Sequence, residues 1–231
     1  MRRLKNKTLL FAKHLRSKLG RKVHKPRFVH KNVPYFSQWE SRELIEKIIT
    51  KQIEASDDPR WRDSGAKNVR EYTSWSWSCC GMACLKMVLA HKNNKVIPLV
   101  TLAKQSLKYG GYKLPLENHP GLYYKPFVDF IKSEYGLEGK AISALTLNEI
   151  KQTISSGGYA IVSVTPEIRF PDRNPIKHGG HLVLLFGYDD LKKVIYLHNP
   201  SGFKDSQEKV EISYRQFKKF FDNKGIIVKE Q

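Results

Sequence analysis

Apolar positions along this 231-residue chain change their spacing near residue 156. Before it, apolar residues recur every three to four positions. Leu44, Ile45, Ile48, Ile49 and Ile53 predict a helix over 40–55, and Phe127, Phe130 and Ile131 mark one over 123–135. Helices over 102–109 and 145–155 are closed by Gly110-Gly111 and Ser156-Gly157-Gly158. Between 81 and 90 the pattern is apolar on almost every side, with Lys86 the single charge and no proline. A helix apolar all round is a buried one. Residues 56–74 are polar, carry Pro59 and Gly65, and predict a long loop.

After residue 156 the runs become short and β-rich. YAIVSV (159–164), HLVLLFGY (181–188) and VIYLH (194–198) are bounded by Gly, Pro or Asp and predict strands of one antiparallel sheet. A helix over 213–221 and a strand over 226–228 complete the order. Helices first and strands second is the α+β pattern.

The buried helix is also where the chemistry begins. Cys80 stands at its N-terminus, where the positive end of the helix dipole favours thiolate, and Gly81 leaves room beside the sulfur. A thiol nucleophile needs a base and a group that orients the base. His181 opens one predicted strand after Gly179-Gly180, and Asn199 ends the next, before Pro200. Neighbouring strands would bring the imidazole and the carboxamide together, with Asp189 as the alternative orienter. Gln38, upstream, and the Cys80 backbone N–H are candidate oxyanion donors. Trp75, Trp77 and Gly180 are candidate substrate contacts.

Charge divides the chain. Residues 1–31 carry twelve Lys or Arg and no acid, against a net +19 for the whole. Residues 1–32 therefore read as a basic arm and 33–231 as the folded domain, with 40–74 an insertion or lid. Leu4, Phe11, Leu15 and Leu19 share one side of a helical wheel, so the arm is a candidate for an anionic membrane surface or nucleic acid. A disordered, solvated tail and an organelle-targeting presequence are the other readings. No apolar run approaches the roughly 18 residues of a membrane span, and the arm lacks a secretory apolar segment. These features, with three cysteines that make no disulfide framework, lead to an expected cytoplasmic location. Cys79, Cys80 and Cys84, with His178 and His181, do not have zinc-site spacing, and no metal or cofactor is expected.

Five segments, in order, resemble the papain-like cysteine peptidases of the C39 type: VPYFSQ (33–38), CGMACLKMVL (80–89), GYAIVSV (158–164), GHLVLLFGYD (180–189) and VIYLHNP (194–200). The resemblance covers roughly residues 33–228. It implies a papain-like α+β fold with the nucleophile helix packed on the sheet. It also implies Cys80 as nucleophile, His181 as base and then acid, Asn199 as orienter and Gln38 as oxyanion donor. The chain departs from the family in three places: Met82 replaces the proline after Cys-Gly, Asn199 replaces an aspartate, and 41 residues separate Gln38 from Cys80. The expected function is thiol-dependent peptide hydrolysis on a peptide or protein substrate. Transpeptidation, as in phytochelatin-synthase-like proteins, and a catalytically silent module that binds peptide or cell-wall material are the alternatives.

Overall fold

The computed structural model describes residues 6, 8–13, 24–118 and 121–229. Seven strands make one sheet: β1 (Arg27–Val29), β2 (Glu138–Ile142), β3 (Tyr159–Val164), β4 (His181–Asp189), β5 (Val194–His198), β6 (Val210–Ser213) and β7 (Phe221–Lys229). The spatial order is β2-β7-β3-β4-β5-β6, with β1 added beside the far end of β4, and every pairing is antiparallel. Strands β3 and β4 are buried along their full length, which explains their unbroken apolar runs.

Side-chain alternation along these strands feeds two cores. Tyr159, Ile161, Leu182, Leu184 and Phe186 face the helical half of the chain. Ala160, Val162, Val164, Val183 and Leu185 face two later helices, α6 (Leu147–Ser155) and α7 (Tyr214–Phe220). The helical half comprises α1 (Ile45–Ile49), α2 (Val69–Ser76), α3 (Cys80–Asn93), α4 (Leu99–Gln105) and α5 (Tyr124–Tyr135). Helix α3 carries the all-round apolar stretch. Every residue from Gly81 to Ala90 is buried, between β4 on one side and α4 on the other. Each fully buried aliphatic side chain there contributes about 1.5–3 kcal/mol. The helix ends where Asn94 takes a left-handed conformation, φ 51°.

Several boundaries differ from the sequence reading. The helix expected over 40–55 is one 3₁₀ turn (Arg42–Leu44) followed by α1, and it stops before Lys51, at φ 62°. The expected loop 56–74 contains most of α2, whose N-cap is Asn68: its side chain accepts from the Glu71 N–H. Nor does 40–74 project as a separate lid, because Ile45, Ile48, Ala55 and Tyr72 are part of the main core. Buried Asp58 ties the segment together by accepting from the Ser41 N–H (3.1 Å), Ser41 Oγ (2.6 Å), the Arg60 N–H (3.0 Å) and the Tyr72 hydroxyl. Strands β2 and β6 are edge strands of partly exposed, mixed residues, so they lack the periodicity of the inner ones.

The sheet also takes in residues that charge assigned to the arm. β1 pairs Arg27–Val29 with Gly187–Asp189, and Tyr188 Oη donates to the Lys25 carbonyl at 2.6 Å. Residues 8–13 are helical, and Lys13 Nζ reaches Glu149 Oε1 at 2.7 Å and the Ala144 carbonyl at 2.9 Å. Of the expected apolar stripe, Phe11 is exposed; Leu4, Leu15 and Leu19 lie outside the described residues. Among the described residues, no helix is long and apolar enough to cross a membrane.

Candidate active site

The junction of α2 and α3 places Cys80 at the first position of α3, with Cys79 as N-cap. The Leu182 backbone and the Gly81 and Cys80 backbone groups at the helix start all act on the thiol. A Cβ added to Gly81 would come within 2.7 Å of Leu122 and 2.9 Å of Leu182, so glycine is what lets the helix start close against β4. Leu182 follows His181, so the start of α3 carrying Cys80 acts on the residue next to the base candidate at the start of β4.

Burial pushes the Cys80 thiol up, and the Leu182, Gly81 and Cys80 backbone groups and the Arg169 guanidinium pull it down. Cys80 is the one cysteine of the three that is half-buried as a residue. Cys79 and Cys84 are fully buried, which holds both thiols well above the usual range. Cys84 Sγ lies 3.9 Å from the Leu182 carbonyl, inside the core.

His181 is 5% exposed, and its Nε2 lies 2.7 Å from Asn199 Oδ1. The same oxygen accepts from the Ser201 backbone N–H at 3.2 Å. An atom that receives two donors is the carbonyl oxygen of the amide, so His181 carries its proton on Nε2 and leaves Nδ1 unprotonated. Burial, then the nearby Arg169 charge, lowers the His181 pKa to about 3, against a raising contribution from Asn199. At neutral pH the ring is therefore uncharged.

Asn199 is as firmly held as the ring it faces. It directly follows β5, its backbone N–H donates to the Gln207 carbonyl (2.7 Å), and its carbonyl accepts from Tyr35 Oη and from the Gly202 N–H, both at 3.0 Å. The tight turn beyond it requires Gly202, where a Cβ would lie 2.0 Å from the Ser206 carbonyl oxygen.

Gln38 reaches the same neighbourhood. Its backbone N–H donates to the Pro200 carbonyl (2.9 Å), and its side-chain Nε2 donates to the Ser76 carbonyl (3.0 Å), four residues before Cys80. One N–H of that amide is used by Ser76, and the amide carries two. Gly180 (φ +95°) and Gly179 (φ +70°) form the entry to β4 in a conformation that glycine adopts without strain. Trp75 belongs elsewhere. It is 4% exposed and packs edge-on to Tyr112, so its indole is core and closed to a substrate. Trp77 is exposed and stacks edge-on against Trp39, with Lys51 Nζ 4.5 Å from its ring centroid. Asp189 is the last residue of β4, at the far end from His181, where it accepts from the Leu191 and Lys192 N–H groups and pairs with Arg27, so it does not orient His181.

Two residues at this site went unmarked in the sequence reading. Ser201 Oγ lies 3.1 Å from His181 Nε2. Arg169, at the end of the 3₁₀ turn Pro166–Arg169, donates from Nε to the Ser201 carbonyl, from a terminal nitrogen to Ser201 Oγ, and from the other to the Pro166 carbonyl (3.2 Å). Burial lowers its pKa to about 10, still charged at pH 7. No local pattern distinguishes Arg169 from the other basic residues of a basic chain. Among the described residues, no group of three or more His, Cys, Asp or Glu is placed to hold a metal ion.

The sequence pattern of the Peptidase_C39 like family matches residues 30–225. A search of curated proteins finds no match. Among solved structures, a Bacillus anthracis protein assigned to the C39-like peptidases superposes with a TM-score of 0.54 at 12% identity, covering 89% of this chain and 98% of that one. The peptidase domain of Streptococcus ComA, a bi-functional ABC transporter involved in a quorum sensing pathway, gives 0.42 at 16% identity, over 66% and 92%. At that score it bears on nothing further. With the pattern running through all five segments and the first superposition spanning both chains, this chain belongs to the Peptidase_C39 like family and has its papain-like fold.

Proposed function

We propose that the protein is a cysteine peptidase in which Cys80 is the nucleophile, His181 the base, Asn199 the orienter and Gln38, with the Cys80 N–H, the oxyanion site. The observation that carries the reading is the His181–Asn199 hydrogen bond beside the Cys80 end of α3. It fixes the ring with Nδ1 free to accept a proton. Because burial holds the thiol up and the imidazole down, the resting pair is thiol and neutral imidazole. The proton moves from Sγ to Nδ1 as sulfur attacks the peptide carbonyl. The tetrahedral oxyanion accepts from the Cys80 N–H and the Gln38 amide. His181 then delivers the proton to the leaving amine, the C–N bond breaks, and an acyl-enzyme forms. Water, deprotonated by the same ring, releases the acyl group as a carboxylic acid and regenerates the thiol.

Arg169 acts in this scheme as a positioning residue through Ser201. Its charge also stabilises a developing thiolate. The test is a peptide-library digest by wild type and Cys80→Ala, with iodoacetamide labelling of the wild type followed by mass. New termini that vanish in Cys80→Ala, with Cys80 labelled ahead of Cys79 and Cys84, support the reading. Identical digests, with Cys80 labelled no faster than in denatured protein, would overturn it.

A further inference from the structure

One concave site is lined by none of Cys80, His181 and Asn199. A cleft of about 420 Å³ opens between residues 35–40 and the middle of α3. It falls within the range of small-molecule sites. Lys86, on α3 six residues beyond Cys80, lines it and is 6% exposed. Among the described residues its ammonium makes no hydrogen bond. Its nearest charge is Glu40 Oε2 at 3.9 Å, and it lies 4.7 Å from the centroid of the Phe36 ring. Glu40 Oε1 is buried without a partner, as is the indole Nε1–H of Trp39, which belongs to the same wall. The other charges at the rim are satisfied nearby: Arg60 pairs with Asp63 at 3.0 Å and Arg42 with Glu208 at 2.9 Å.

A buried ion pair too far apart to share a hydrogen bond does not recover its desolvation cost. Burial accordingly pushes the Glu40 carboxyl up and the Lys86 ammonium down. Each ion would be stabilised by a third group that hydrogen-bonds to both. Among the residues that line the cleft, Lys86 and Trp39 carry N–H donors without a hydrogen-bond acceptor and Glu40 carries an acceptor without a donor. The complement is a molecule with a carboxylate and an ammonium held close together, next to a small apolar portion for the Phe36 ring.

We propose that this cleft binds a free α-amino acid, its carboxylate accepting from Lys86 Nζ and Trp39 Nε1–H and its ammonium donating to Glu40 Oε1. An α-amino acid carries its two charges on one carbon, which matches the 3.9 Å spacing of Glu40 and Lys86; a dipeptide separates them by a peptide unit. This site is independent of the peptidase reading. It adjoins the triad through Tyr35, which lines the cleft and donates to the Asn199 carbonyl.

The full chain labelled with ¹⁵N gives four indole N–H signals, one per tryptophan, and Trp39→Phe identifies that of Trp39. Titration with L-alanine should shift that signal saturably, because a hydrogen bond forms where none exists. N-acetyl-L-alanine, L-alaninamide and L-alanyl-L-alanine should each bind about tenfold more weakly or worse. Lys86→Met, which keeps the apolar stem, should abolish saturation. Should that variant not fold, Glu40→Gln supplies the same comparison, with weakened L-alanine binding expected. A linear drift without saturation, an equal response to all four compounds, or unchanged binding in the folded variant would overturn the proposal and leave these groups to water.

Discussion

His181 Nε2 lies 2.7 Å from Asn199 Oδ1, although they are 18 positions apart in sequence. The antiparallel pairing of β4 with β5 brings them together: Leu184 faces His198, His181 opens β4 and Asn199 follows the end of β5, so both lie at one end of the paired strands. Removing the carboxamide frees the ring to rotate and to exchange tautomers. Asn199→Ala should therefore lower kcat/KM on the best library peptide by about 10- to 100-fold, the worth of one hydrogen bond to a group that becomes charged. The folded variant should retain a labelable Cys80. Unchanged kcat/KM would remove Asn199 from the mechanism.

Arg169 acts on both candidate groups in the same direction, lowering the Cys80 thiol and the His181 imidazole alike. With Arg169→Met the cation is gone, so the pH profile of Cys80 alkylation should move to higher pH. Arg169→Lys should restore much of that profile without restoring the two contacts to Ser201, and kcat should remain reduced. A profile that does not move in Arg169→Met would confine this residue to a packing role.

Two buried histidines make stability sensitive to mild acid. The folded-state pKa falls from 6.5 to about 3 for His181 and about 4 for His198, in both cases chiefly through burial. The unfolded chain thus binds these protons first. Their contribution is complete above pH 6.5 and declines as pH falls through the window to 4 and then 3. Urea midpoints at pH 7.5, 6.0 and 5.0 should fall, each histidine contributing on the order of 1 kcal/mol per pH unit inside its window. His198 holds its place by Nε2 to the Val33 carbonyl and by accepting from the Lys209 N–H, each at 3.0 Å. A His198→Gln variant should show a flatter pH dependence than wild type.

Asp58 is 1% exposed and gathers four donors from residues 41, 60 and 72. Asp58→Asn turns acceptors into donors opposite groups that are themselves donors. Stability should fall by about 2–4 kcal/mol, read as a shift in the urea midpoint, and Tyr72→Phe should cost about 1 kcal/mol. A loss under 1 kcal/mol for Asp58→Asn would mean that segment 40–74 is held by its apolar contacts alone.

The elements with strong periodicity could be read directly. Strands 159–164 and 194–198 have the bounds observed, and 181–188 is extended by one residue. The all-round apolar stretch at 81–90 was legible as a core helix because burial on every side removes the need for polar residues. Helix α2 was not legible, because its exposed residues are polar and its signal is one asparagine cap. Strand β1 was hidden by the charge of the residues before it; Arg27 sits at the sheet margin, where it pairs with Asp189. Trp75 shows the limit of composition. An aromatic near a reactive thiol looks the same in sequence whether it lines a cleft or packs against Tyr112.

The sequence by itself determined the α+β order, the buried helix opening at Cys80, and a histidine and an asparagine at the ends of two strands. Those features are local, set by side-chain period and by the residues that start and stop each element. Only the tertiary structure decided which groups meet: His181 with Asn199 and Ser201, Arg169 behind them, Lys86 across from Glu40. Strand pairing and the docking of α3 bring together residues up to about 160 positions apart, and the spacing of side chains along a chain carries no record of such distances.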